Sequence, residues 1–180
     1  MKKLLTGLLM LGGIGMWAVS SHAALTADLT ITVTPTGTKS VALSQATLAY
    51  GSLSVNSTNN ISSSVTVTND GNIAETFGMH VTSVGGIWSL GGAAGNDIIN
   101  LRAIFNAAVT PLAAEFAADD DLTLAHQAST GAVFSDGTET GDSVSPVSGS
   151  NGRGLWFKLD MPTMSSVTAL QSIVVRVTAN

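Results

Sequence analysis

His80 and His126 are imidazoles that could move a proton near neutral pH, and a hydrolytic role for either would need a neighbouring serine and carboxylate. No G-x-S-x-G elbow stands in the chain. His80 has the opposite parity from Phe77, Met79 and Val81, which turns it away from the apolar face of a strand. Ordinary placement is expected for both, and no catalytic residue is assigned. Carboxylates concentrate at Asp119-Asp120-Asp121 and in the loop Asp136-Gly137-Thr138-Glu139-Thr140-Gly141-Asp142. Calcium takes several hard oxygen ligands on a turning backbone, so Asp136, Glu139 and Asp142 are the candidate metal ligands. The loop departs from the EF-hand spacing, and a solvated acidic loop is the competing reading. Trp88 and Trp156, with Tyr50, could stack on sugar rings if they shared an exposed face. Two such indoles serve equally well to plug a core. Gly149, Gly152 and Gly154 do not make a dinucleotide fingerprint, and no other cofactor is implied.

The background of these residues narrows the function classes. Of 180 residues, 44% are hydrophobic and only 11% charged, and there is no cysteine. A disulfide framework, a zinc–thiolate site and a thiol nucleophile are therefore excluded. Seven Lys+Arg face twelve Asp+Glu, for a net charge of −5, which is the wrong sign for a nucleic-acid surface.

Residues 1–23 have the layout of a cleaved secretory signal peptide. Lys2 and Lys3 precede an apolar run from Leu4 to Val19, and Ser21-His22-Ala23 places small residues at the −3 and −1 positions. The run is shorter than the roughly twenty apolar residues a bilayer span needs, so no stable membrane span is expected after cleavage. The remaining chain, 24–180, would hold five basic and twelve acidic residues, or −7. It is expected to fold as a single domain, secreted or held at the cell surface.

Within that part the apolar residues recur at every second position, the period of a half-buried strand. Leu29, Ile31 and Val33 alternate with threonines, and Val65 and Val67 do likewise. Further runs are Phe77-Met79-Val81, Ile99-Leu101-Ala103-Phe105, Leu155-Phe157-Leu159-Met161 and Ile173-Val175-Val177. Asn69-Asp70-Gly71-Asn72 reads as a hairpin turn, and further glycine pairs punctuate the chain. Helix is scarce. Thr110-Pro111-Leu112-Ala113-Ala114-Glu115-Phe116 is the best candidate, with Thr110 as N-cap and one or two turns of helix inside a crossover. Ser135 to Gly154 reads as an exposed mobile loop. The fold class expected is all-β, an antiparallel β-sandwich of Ig-like or jelly-roll kind with one short helical crossover.

The segment Leu48-Ala49-Tyr50-Gly51-Ser52-Leu53-Ser54-Val55, followed by Ser64-Val65-Thr66-Val67-Thr68-Asn69-Asp70-Gly71-Asn72, resembles a pattern of secreted Ig-like and jelly-roll surface proteins. The wider order of leader, N-terminal strand, turn, crossover and closing strands is similar to the camelysin and TasA-type matrix-fibre subunits. That resemblance implies a subunit whose N-terminal strand completes its neighbour. The expected function is a non-enzymatic structural protein of the cell surface or extracellular matrix, a fibre or pilus-like subunit that self-associates by strand pairing. Leu29, Ile31 and Val33 are the assembly-strand residues, although the same strand could pair inside its own molecule. The alternative is a secreted binding module for a polysaccharide or another surface protein.

Overall fold

The computed structural model describes residues 26, 28–107 and 109–180. The leader expected over residues 1–23 lies outside them, as does Leu25 at the start of the first expected strand. Among the described residues no helix is long and apolar enough to cross a membrane.

The described residues are all-β, with nine strands: β1 (Val41–Leu43), β2 (Asn60–Ile61), β3 (Val65–Asn69), β4 (Phe77–Val84), β5 (Ser89–Leu90), β6 (Ile98–Asn106), β7 (Gln127–Ala128), β8 (Gly152–Asp160) and β9 (Ile173–Ala179). They form two sheets. One runs β1-β3-β8-β6-β5, with β2 also on β8, and the other runs β7-β4-β9. All pairs are antiparallel except the two-residue parallel contact of β5 with β6.

Valine, isoleucine and aromatic side chains at alternate positions give both sheets one apolar face, and these faces share a core. Val67 from β3, Phe77, Met79 and Val81 from β4, Phe105 from β6 and Leu155 from β8 meet there. The Phe77 and Phe105 rings lie 5.8 Å apart, tilted by 38°.

β6 and β8 are buried on both faces over part of their length, which simple alternation did not foretell. Asn100, Ile104, Trp156 and Lys158, whose parity is opposite to that of the core runs, are all buried. Ile104 and Trp156 pack with Phe116, which arrives on the segment between β6 and β7. That segment has two short 3-10 helices, Ala113–Glu115 and Ala118–Asp120, in place of a helix starting at Thr110. Only Phe116 turns inward, while Leu112 stays exposed, so the two do not form one apolar stripe.

Three other expectations are corrected. Asn69 to Asn72 is not a hairpin, because β3 and β4 belong to different sheets. The Asn69 side-chain amide donates to Ile73 O and Val144 O, and the Asn72 N–H donates to Thr38 O, so the turn is tied to other segments of the chain. Ser135 to Gly154 is not a free loop. Val144 is fully buried and bridges Glu75, Ser135 bridges Phe105, and Gly152 already opens β8. Gly141 sits where any Cβ would strike the Phe105 ring, which explains a glycine there. Finally, the expected strand over residues 25–34 has no ladder partner in its described part. Residues 28–35 fall outside the compact unit Thr36–Asn180, and Leu29, Ile31 and Val33 are 84%, 81% and 85% exposed. Alternation suits a strand, but a strand also needs an edge to bond with.

Candidate functional site

β9 is an edge strand. Its seven residues bond β4 along one side, and among the described residues no strand bonds the other. Ile173, Val175 and Val177 face the core by parity but are only half-buried. Along them runs an apolar groove of about 150 Å³. Leu43 of β1 and the following Leu48 and Tyr50 stand on its opposite side, and Leu101, Leu155 and Phe157 are among its lining. The alternation of Leu48 and Tyr50 turns both inward, and burial pushes the Tyr50 phenol above its ordinary range. A seven-residue unpaired edge beside an open apolar groove is a template for a further strand. Such an edge offers backbone donors and acceptors, and the groove offers a place for alternate side chains.

The candidate histidines do come together. The His80 and His126 rings are 5.7 Å apart, edge to face. His126 Nε2 and Thr178 Oγ1 are 2.7 Å apart, and His80 stands in register with Arg176 of β9. His80 Nδ1 is buried and without a partner. Gly78 makes room for the pair, since a Cβ there would strike His126. The described contacts give these rings a hydroxyl and a cation as neighbours, not the serine and carboxylate of a triad.

The candidate calcium ligands do not converge. Asp136 Oδ1 accepts the Thr138 and Glu139 N–H groups at 2.7 and 2.5 Å, closing a turn on itself. Glu139 pairs with Arg153 at 3.4 Å, and Asp142 accepts the Thr76 hydroxyl at 2.6 Å. Among the described residues no group of three or more His, Cys, Asp or Glu is placed to hold a metal. Local turn closure and a nearby guanidinium have taken the roles that calcium would require of these carboxylates.

The expected stacking residues are also separate. Trp156 is only 6% exposed and offers no ring face for stacking, because Ile104 and Phe116 cover it. Trp88 packs against the main core and donates its Nε1–H to Ser165 Oγ at 3.0 Å.

Sequence reasoning missed a partly buried charged cluster between β6, β8 and the crossover. Arg102 Nε donates to Asp121 Oδ1 at 2.6 Å, and Arg102 stands in register with Lys158. Lys158 is 5% exposed, lies 5.8 Å above the Phe116 ring, and has its pKa lowered by burial. Asp120 is fully buried and accepts the Ala117 N–H at 2.8 Å and the Ser135 N–H at 3.3 Å. Burial pushes its carboxyl up to about 6. The signal available was the register itself, since Arg102 and Lys158 share a parity with Ile104 and Trp156.

No protein-family model matches the chain, and no curated protein or solved structure matches it either.

Proposed function

We propose that the chain is an exported, non-enzymatic structural subunit of a cell surface or extracellular matrix. In this reading its two sheets form a sandwich of Ig-like or jelly-roll kind, and copies assemble by strand pairing. The observation that carries the proposal is the match between a free acceptor and a free donor. The acceptor is the unpaired edge of β9 with the groove beside it. The donor is Asp28 to Thr34, seven residues like β9, with Leu29, Ile31 and Val33 exposed on alternate positions.

Chemistry favours a second copy's residues 28–34 as the occupant. Donor and acceptor both expose apolar side chains to water, and pairing would bury both sets at about 25 cal/mol per Å² of apolar area. Engineered apolar cavities of about 150 Å³ take a benzene ring, so one branched side chain can enter fully while its neighbours lie along the lip. The leader-like residues 1–23 supply the route out of the cell, and the lack of cysteine removes any dependence on oxidative folding.

Electron microscopy of purified residues 24–180 is the test. Regular filaments are expected, and deletion of residues 24–34 should leave a folded monomer. A persistent monomer from the 24–180 chain would overturn the assembly reading. Loss of folding on deletion would show instead that the segment completes its own molecule.

A further inference from the structure

The outer face of β8 carries a trough unrelated to strand pairing. Gly152 and Gly154 supply no side chains there, and their neighbours stand on either side. Thr68 and Thr66 of β3 are in register with Gly152 and Gly154, and Asn106 of β6 is in register with Gly154 from the other side. The resulting space is about 500 Å³, with Ser64, Thr66, Thr68, Asn106, Asn151 and Trp156 among its lining. A Cβ on Gly154 would approach Asn106 O to 2.7 Å, and one on Gly152 would approach Thr66 Cγ2 to 3.4 Å, so both glycines keep the trough open.

The chemistry of the lining selects a ligand. Every backbone edge at the floor is already bonded, because β3, β8 and β6 are consecutive strands of one sheet, so a peptide strand cannot be added. The charges at the rim cancel: Glu139 pairs with Arg153, whose guanidinium also donates to Thr140 O, Ser150 O and Gly152 O. That arrangement does not recruit an anion. What remains are hydroxyls and amides, groups that both donate and accept. Ser64 and Thr66 are exposed and Thr68 half-buried in the lining, and the buried Trp156 Nε1–H has no hydrogen-bond partner among the described residues. A ligand carrying many neutral hydroxyls would satisfy them all. From Ser64 to Thr68 the strand extends about 13 Å, longer than a single sugar ring.

We propose that this trough binds a neutral polysaccharide. Its hydroxyls pair with Ser64, Thr66, Thr68 and Asn106, while Trp156 acts through its N–H rather than its ring face. The proposal stands whether or not the chain forms filaments.

Isothermal titration calorimetry of residues 24–180 against soluble dextran, mannan and galactomannan tests it, with alginate as the anionic polymer and the component monosaccharides alongside. Binding to at least one neutral polymer is expected, weakened tenfold or more by S64A/T66V and by Gly152→Leu. Ser64 and Thr66 are exposed, so S64A/T66V should melt at the parent temperature and isolate the contact from the fold. Trp156→Phe should weaken binding several-fold while keeping the ring. The proposal is overturned if no neutral polymer binds, if alginate alone binds, or if monosaccharides bind as tightly as the polymers. Binding unaltered by both S64A/T66V and Gly152→Leu would also overturn it.

Discussion

Asp120 is the residue where burial and charge conflict most directly. Its carboxylate closes a turn by accepting Ala117 N–H and reaches across to Ser135 N–H, yet among the described residues no cation forms an ion pair with it. Its pKa rises from 3.8 to about 6, so the folded chain holds this proton more firmly than the unfolded chain does. Its contribution therefore favours folding below about pH 4 and is lost as pH rises through about 6, a swing of about 3 kcal/mol at most. Glu75, almost fully buried, is shifted upward by burial as well and acts in the same direction. Asp120→Asn should flatten the rise in stability between about pH 7 and about pH 4 relative to the parent, measured by urea unfolding at several pH values. Gly141 is a second sensitive position. Gly141→Ala forces a methyl into the buried Phe105 ring and should cost about 1–3 kcal/mol, read from the same unfolding curves.

At the scale of elements, the longer strands β3, β4, β6, β8 and β9 and their core parity were legible, while the short strands and the strand partners were not. Phe77, Met79 and Val81 alternate because β4 has a core face, and all three are buried as the pattern required. The same rule failed on β6 and β8, because it assumes water on the far face. Phe116 and the two 3-10 helices cover part of that face, and their sequence has no strong period to announce it. The Asn69–Asn72 turn misled for a related reason. Its residues permit a tight hairpin, but long-range bonds to Thr38 and Val144 send the chain to the other sheet. The three candidate calcium ligands stand apart because side-chain acceptors can be consumed by their own turn, as at Asp136. The exposed segment bearing Leu29, Ile31 and Val33 was visible as a pattern, but the groove of β9 depends on Leu43 and Tyr50 meeting Val175 across the fold. A charge placed in that groove tests its role. Val175→Lys should leave a folded monomer and prevent filaments, since a desolvated ammonium beside an incoming apolar strand is costly. Circular dichroism and electron microscopy read the two outcomes separately.

For the whole molecule, assembly must work against charge. A subunit of residues 24–180 carries five basic and twelve acidic residues, so approaching copies repel. Raising ionic strength from about 0.01 M to about 0.15 M shortens the Debye length from about 30 Å to about 8 Å, and filament growth followed by light scattering should accelerate. In the proposed assembly apolar pairing would supply the attraction, and a neutral polysaccharide bound on β8 would occupy a surface separate from the β9 groove. A matrix subunit with both properties could join a protein filament to a glycan network.

The most direct measurement uses the absence of native cysteine. Ile31→Cys is placed in one preparation, and Ile173→Cys, Val175→Cys or Val177→Cys in another. The two preparations are mixed, allowed to assemble and oxidised. A disulfide-linked dimer joining the two different chains, at one position of β9 or at two neighbouring ones, is the predicted result. Filaments that give no such dimer at any of the three positions would contradict strand exchange, as would a double variant that links only within single chains.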